Sequence, residues 1–394
     1  MKNHQNDKTV EIRSTSNEKG QRYSRTDQEM SPKNLARSVV PAIDLYCRKA
    51  NLKTLKYMSL ILCNKSSHDR KTPVRSFMVA RCAVFEQLRT RLIDEGKINL
   101  FSVLLKKNSF AFCKMTIDNN FNTSLVNWQS IPIDYTFAPD NKQRMGLVPT
   151  DTLFATEKII SLLGVSPKMT NFVSIERYRT PLMDFTDKLQ SNILEHLLYA
   201  KCQGVRLSST DEKPRLLAAI CNPEFINAFW CQLTPIRASL KKNRFVAVPQ
   251  EFQIQDASVL TAIKEIVTKR ILRSAFDGDT NSSKGLHLDS SWKFRLPILA
   301  STPDLDFSLK DCLGLDTRED TFDMTEAFLS NMAWSKSLCT YNNIANIVMK
   351  DNGRFDSGIL KEFNNYIKLE KTDLQDFQAV SSEFLKDIKL KPYM

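Results

Sequence analysis

The sequence has few histidines and glycines, and its cysteines are not paired. Four histidines and 10 glycines occur in 394 residues, and the nine cysteines contain no Cys-x-x-Cys pair. Zinc sites need closely spaced cysteine and histidine ligands, and phosphate-binding loops need clustered glycines. We therefore expect no metal and no cofactor. An odd number of scattered cysteines indicates free thiols in a reducing compartment rather than a disulfide framework.

Long apolar runs are also missing. No run approaches the roughly 18 residues that a membrane span needs. The first 30 residues are polar and lack the apolar region of a signal peptide, and their acidic residues count against a mitochondrial presequence. These features predict an intracellular protein of the nucleus or cytoplasm that is not secreted and does not contact a membrane.

Motifs for catalysis are absent as well. The sequence contains no Gly-x-Ser-x-Gly elbow, and the His68-Asp69 pair is typical of a turn. The acidic loop that begins at Asp277 resembles a calcium loop, but Ser282 stands where glycine is needed and Leu288 where glutamate is needed. We therefore predict no catalytic residues and a protein that is not an enzyme. An enzyme with a motif-free site remains an alternative.

Positive charge is abundant and unevenly distributed. The formal net charge is +12. Residues 41–115 hold 15 basic and 5 acidic residues, a net charge of +10, whereas residues 298–394 hold 11 basic and 16 acidic residues, a net charge of −5. Such a polarised chain favours a polyanion at one end and a different partner at the other.

Periodicity predicts a fold that is mainly α with a small β component: an irregular multi-helix globular fold with a disordered N-terminal tail. The clearest helix spans 72–95 and ends at Gly96, and a β-hairpin follows at 98–106 and 109–117. Further predictions are a buried helix at 214–231 and an edge strand at 244–254. The predicted regions are a disordered tail (1–30), a basic helical region with the hairpin (31–117), a loop or linker (118–149), a mixed α/β core (150–300) and an acidic helical region (301–394).

The basic residues form three groups. Clustered lysine and arginine neutralise phosphates without needing a specific motif, and interleaved tyrosines such as Tyr46 and Tyr57 can stack on bases. This pattern predicts DNA or RNA binding without indicating which, although an exposed solvated helix face would look the same. The predicted nucleic-acid-binding residues are Arg48, Lys49, Lys53, Lys56, Arg70, Lys71, Arg75 and Arg89, then Lys241, Lys242 and Arg244, then Lys269, Arg270 and Arg273.

The acidic C-terminal helices carry an apolar face that could bind a protein partner. Its residues are Phe328, Met332, Ile344, Ile347 and Val348, and simple core packing is the alternative explanation. The combined prediction is a non-catalytic nucleic-acid-associated protein whose acidic helices bind a protein partner. A structural or adaptor subunit of a multiprotein complex, without nucleic-acid contact, is the second interpretation.

Overall fold

The computed structural model describes residues 39–63, 70–106, 109–133, 149–166, 168–177, 185–208, 215–230, 250–278, 286–301, 307–350 and 356–389. The predicted disordered tail lies outside these residues. So do Lys241, Lys242 and Arg244 of the second basic group.

A mixed sheet organises the described part of the chain, where it has six strands in the order β5-β4-β1-β2-β3-β6. The first three form an antiparallel meander, β4 and β5 continue parallel to β1, and β6 lies parallel to β3. The strands are β1 (Lys97–Leu105), β2 (Ser109–Asp118), β3 (Thr123–Pro132), β4 (Asn171–Glu176), β5 (Leu216–Cys221) and β6 (Leu286–His287).

Helices account for most of the described residues, as the periodicity predicts. The three longest among the described residues span 250–277, 318–348 and 357–389. The helices are α1 (Val39–Lys49), α2 (Leu52–Ile61), α3 (Lys71–Glu95), α4 (Pro149–Leu163), α5 (Phe185–Ser208), α6 (Pro223–Trp230), α7 (Gln250–Asp277), α8 (Ser290–Arg295), α9 (Ile298–Ser301), α10 (Leu309–Leu313), α11 (Arg318–Val348) and α12 (Ser357–Lys389).

Each face of the sheet is covered by helices. Side chains alternate along β1, so that Leu100 belongs to the core shared with α3 and α11, while Phe101 and Val103 belong to a core shared with α4 and α5. A strand buried on both faces reads as a continuous apolar run rather than an alternating one. Because helices cover both faces of the sheet, β1 is buried continuously from Ile98 to Leu105.

Helix α11 is the centre of the larger core. It begins at the N-cap Thr317, whose side chain accepts a hydrogen bond from the Asp320 amide. Further along, the Asn331 Nδ2 atom donates to the carbonyls of Leu100 on β1 and Cys113 on β2, each at 3.0 Å. The helix is therefore fixed to the sheet backbone by a side-chain amide as well as by apolar contacts.

The predicted partner-binding face is part of this core. Its five side chains are at most 8% exposed because α11 is covered by the sheet and by neighbouring helices. They pack inside the protein and are not available to a partner, so the docking interpretation of this face is wrong. The corrected residues are Phe328, Met332, Ile344, Ile347 and Val348.

Four other expectations need correction, and each has a local cause. The β component is not small, because strands from distant parts of the chain join one sheet. The stretch 118–149 contains β3, so it is not simply a linker. The stretch 214–231 divides into β5 and α6, since a short apolar run does not distinguish a buried strand from a buried helix. Residues 244–249 lie outside the described range, and helix α7 begins at Gln250, where the edge strand was expected to continue.

Candidate functional site

Part of the first basic group converges where three helices end or begin. Arg48 and Lys49 end α1, Lys53 lies in the first turn of α2, and α3 begins just after Arg70. The Lys71 Nζ atom donates to the Arg48 carbonyl at 2.6 Å, which brings the end of α1 to the start of α3. We call Arg48, Lys49, Lys53, Arg70, Lys71 and Arg75 the helix-end cluster.

One carboxylate organises this cluster. Asp44 Oδ2 lies 3.1 Å from Arg48 Nε, and Asp44 Oδ1 lies 3.2 Å from Arg75 Nε. Arg48, Lys49, Lys53, Arg70 and Lys71 are exposed. The bases of the helix-end cluster outnumber this carboxylate, which leaves a positively charged surface that is suited to a polyanion.

Other predicted binding residues lie elsewhere. Arg89 is about 21 Å further along α3 than Arg75, given a rise of 1.5 Å per residue, and it donates to Asn342 of α11 and pairs with Glu86. These contacts make Arg89 a link between helices. Lys56 lies on α2 and is half-buried.

The third basic group lies on α7 and is partly engaged within the protein. Lys269 pairs with Glu265 at 3.2 Å, and Arg273 pairs with Asp277 at 2.8 Å and donates to the Leu299 carbonyl. Arg270 is exposed. The group therefore offers less exposed charge than the helix-end cluster does.

A second site lies inside the protein, at the carboxyl ends of the parallel strands β1 and β4. Glu176 is the last residue of β4, and Asp323 and Glu326 lie one turn apart near the start of α11. All three acidic residues are between 0% and 4% exposed. In parallel sheets, this edge is where functional side chains usually gather. We call Glu176, Asp323 and Glu326 the carboxylate cluster.

Two lysines and a serine bind the carboxylate cluster. The Lys264 ammonium, on α7, binds Glu326 Oε1, and both side chains are buried. The Lys106 Nζ atom lies 2.6 Å from Asp323 Oδ2. The Ser102 hydroxyl donates to Glu176 Oε1 at 3.3 Å. The second oxygens of Glu176, Asp323 and Glu326 have no hydrogen-bond partner among the described residues.

Burial controls the protonation of these acids. It raises the pKa of Glu176 well above the usual range, and the nearby Glu326 carboxylate raises it further, whereas the Lys264 ammonium lowers it. Burial likewise raises the pKa of Asp323 to about 7, against the opposing effect of Lys106. Opposing influences from Glu326 and Lys264 on Glu176 indicate that the three groups share one electrostatic environment.

The arrangement does not fit a divalent cation. Clustered carboxylates commonly hold Mg²⁺ or Ca²⁺ through oxygen ligands. Here the Lys264 ammonium already lies on Glu326, where it would repel a cation. Among the described residues, no group of three or more histidine, cysteine, aspartate or glutamate side chains is placed to hold a metal ion.

The protonation of Asp323 predicts a pH effect on stability. Between pH 3.8 and about 7 the folded protein keeps a proton on Asp323 that the unfolded chain has released. The free energy of unfolding should therefore fall as pH rises through this window, by about 1.4 kcal/mol per pH unit from this residue. Urea unfolding from pH 4.5 to 6.5 should show this contribution in the parent and lose it in Asp323→Asn.

A neighbouring acid provides the control for this pH effect. Asp320 is on the same helix and is partly exposed, with its carboxylate accepting from Ser130 at 2.8 Å. Asp320→Asn should leave the pH slope close to that of the parent. If the parent and Asp323→Asn curves run parallel, the assigned protonation of Asp323 is incorrect.

The sequence interpretation missed the carboxylate cluster. Its signals were present: a glutamate directly after the mostly apolar stretch 172–175, acids three residues apart at 320, 323 and 326, and a lysine within the apolar face of α7. Each is ordinary by itself. They become a site only because β1, β4, α7 and α11 meet in the fold.

None of the described helices is long and apolar enough to cross a lipid bilayer.

Comparisons with known proteins identify relatives. The sequence model of the family described as "Mitochondrial resolvase Ydc2 / RNA splicing MRS1" matches residues 40–384. The chain is 68% identical over 363 residues to the mitochondrial RNA-splicing protein MRS1 of Saccharomyces paradoxus, covering 92% of this chain and 100% of that protein. It is 26% identical over 330 residues to the mitochondrial cruciform cutting endonuclease 1 of Saccharomyces cerevisiae, covering 79% and 88% respectively.

A solved structure was also found. The yeast mitochondrial Holliday junction resolvase Ydc2 matches with a TM-score of 0.43 and 13% identity, covering 81% of this chain and 98% of that one.

These relatives correct the functional expectation. The prediction of a non-catalytic protein, and not an enzyme, conflicts with a family that includes an endonuclease. The predicted nuclear location is not supported, because the named relatives are mitochondrial. The comparisons do not support the predicted protein partner either. The association with nucleic acids agrees with relatives named for RNA splicing and for cutting cruciforms. The chain belongs to the family of the mitochondrial resolvase Ydc2 and the RNA-splicing protein MRS1.

Proposed function

We propose that this chain acts in mitochondrial RNA splicing and that it does so by binding structured RNA. The observation that carries the proposal is the 68% identity to an RNA-splicing protein along that protein's whole length. It favours the function of this relative over that of the endonuclease, with which the chain is 26% identical.

The helix-end cluster is the surface that we assign to RNA. Its exposed bases come from three helices that meet at one place, so they could contact phosphates that are close in space but distant in an RNA sequence. Phosphate contacts position a protein on nucleic acid without reading bases, and shape then supplies selectivity. Structured RNA, in which backbones approach one another, matches such a surface better than an extended strand does.

Reversing charge in the helix-end cluster should weaken RNA binding. The triple variant Arg48→Glu, Lys49→Glu, Lys53→Glu removes three exposed cations and adds three anions. We expect a 10- to 100-fold rise in the Kd for a structured intron RNA at roughly 100 mM salt, and a shallower dependence of log Kd on log salt, because fewer counterions are released. Filter binding across a salt series measures both quantities.

A matched variant on the other side of the sheet controls for total charge. Lys158→Glu, Lys168→Glu, Lys201→Glu makes the same change in the α4–α5 region, at two exposed positions and at the half-buried Lys201, which pairs with Glu157. It should retain binding close to that of the parent. Equal loss in both variants would show that only net charge matters, and no loss in the first would place the RNA elsewhere. Splicing of the same RNA in vitro then tests the role itself.

Endonuclease activity is the second candidate. The endonuclease relative favours it, and so does the carboxylate cluster, which gathers acids at the sheet edge where catalytic side chains usually lie. The parent is incubated with cruciform DNA and with the structured RNA in a Mg²⁺ buffer. Cleavage that is lost in Glu176→Gln and retained in Asp320→Asn would support this candidate. Intact substrates would count against it.

A further inference from the structure

The carboxylate cluster places several acids in an apolar interior, where they are normally rare. The positive charge beside them comes from Lys264, a residue of the same chain. Glu176 and Glu326 are 0% and 4% exposed, and Lys264 is 1% exposed. Buried charges are usually paired or bound to a metal ion. Lysine is rarely buried to this extent unless it has such a partner.

The lysine lies on a different helix from the elements that carry the acids. Lys264 lies on α7, whereas Glu326 lies on α11 and Glu176 ends β4. Helix α7 packs against α11, and the Lys264 ammonium also lies 5.5 Å from the Phe322 ring. The flexible lysine stem thus brings one ammonium into contact with Glu326 and into the electrostatic environment of Glu176.

Two carboxylate oxygens of the cluster have spare capacity. Glu176 Oε2 and Glu326 Oε2 accept no hydrogen bond among the described residues, and each belongs to a carboxyl group that is at least nine-tenths buried. The Ser102 hydroxyl lies beside Glu176 at 3.3 Å. Carboxylate and hydroxyl oxygens are the ligands preferred by hard divalent cations.

We propose that Lys264 is a built-in cation that takes the place of a divalent metal ion, and that shortening its side chain converts the cluster into a Mg²⁺ or Mn²⁺ site formed by Glu176, Glu326 and Ser102. Removing the ammonium leaves two carboxyl groups without a counter-charge. In Lys264→Ser it also leaves the space once filled by three methylenes and the ammonium, which is room for an ion and water. This inference does not depend on the RNA-splicing role, because it concerns cation binding alone.

The test compares Lys264→Ser with the parent in full-length protein. Each is unfolded, refolded in EDTA or in MnCl₂, and dialysed into metal-free buffer. It is then titrated with Mn²⁺ while the electron paramagnetic resonance signal of free Mn²⁺ is followed. The variant should bind one Mn²⁺ per chain with a Kd in the millimolar range or below, and saturating Mn²⁺ should raise its Tm by roughly 2–5 °C. The parent should show neither effect.

Two further variants assign the ion to this place. Lys264→Ser combined with Glu326→Gln should lose the bound Mn²⁺, because one carboxylate is gone. Lys269→Ser removes another lysine from the same helix, one that pairs with Glu265, and should behave like the parent. Binding that survives Glu326→Gln would place the ion elsewhere and overturn the proposal.

The remaining outcomes also decide the question. A folded Lys264→Ser that binds no more Mn²⁺ than the parent overturns the proposal, and so does a parent that already binds Mn²⁺ in a manner abolished by Glu326→Gln. If Lys264→Ser fails to fold, Lys264→Gln, which keeps more of the side-chain volume, is refolded in the same way. Folding that requires Mn²⁺ supports the proposal, and failure of both variants with and without Mn²⁺ overturns it.

Discussion

Replacing Trp334 with alanine should destabilise the fold by about 4 kcal/mol, within the usual range of 3–5 for truncating a buried tryptophan. Trp334 is 1% exposed and lies in α11 against the sheet. Its Nε1 atom donates to the Ser174 hydroxyl on β4 at 2.9 Å, its ring lies 4.5 Å from that of Phe172, and Arg81 stacks over it at 4.3 Å. Alanine removes all of these contacts at once.

Urea unfolding followed by circular dichroism measures this loss. Phe294→Ala is the control, because Phe294 is 86% exposed and its removal should change stability by less than about 0.5 kcal/mol. Trp334→Phe should recover part of the loss by refilling the space without restoring the hydrogen bond. A Trp334→Ala variant as stable as the parent would mean that α11 is not held against β4 in the way described.

Breaking the Lys264–Glu326 pair should cost about 3–5 kcal/mol, since removing one partner leaves a buried charge uncompensated. Lys264→Met or Glu326→Leu alone, measured in EDTA, should show this loss. The double variant, with both side chains apolar, should be close to the parent or more stable, because desolvating two charges offsets most of their attraction. The coupling free energy from the double-mutant cycle is the quantity to measure.

An exposed pair of the same chemistry provides the comparison. Lys201 and Glu157 lie 2.8 Å apart, with 41% and 49% of their side chains exposed. The same substitutions there should show a coupling of at most about 1 kcal/mol. Similar coupling in the two pairs would indicate that water reaches Lys264, and would remove the argument that its charge is held in an apolar interior.

Local patterns predicted the elements that depend on neighbouring residues. Helix α3 occurs where the apolar spacing placed it, and it ends at Gly96, which adopts the left-handed conformation with φ of +75° while its amide bonds the Leu92 carbonyl. The β1–β2 hairpin also lies within a residue or two of the predicted bounds. Both depend on contacts close in sequence, which periodicity and turn residues record.

Long-range pairing is where the sequence was not sufficient. Strand β4 pairs with β1 across more than 70 residues, and nothing in Asn171–Glu176 specifies that partner. Ser102, Glu176 and Glu326 become neighbours only through this pairing and the seating of α11. Their separation in sequence therefore concealed the carboxylate cluster, although the clustered bases at 48–75 were visible because helices close in sequence bring them together.

The amide of Asn331 has a consequence for how the protein opens. It bonds carbonyls on two adjacent strands, so the helix cannot slide along the sheet or lift from it without breaking both bonds in a water-free interior. Local fluctuations that free such a helix cost nearly as much as complete denaturation. Backbone amides of β1, β2 and the middle of α11 should thus exchange with deuterium together, at the slowest rate in the molecule.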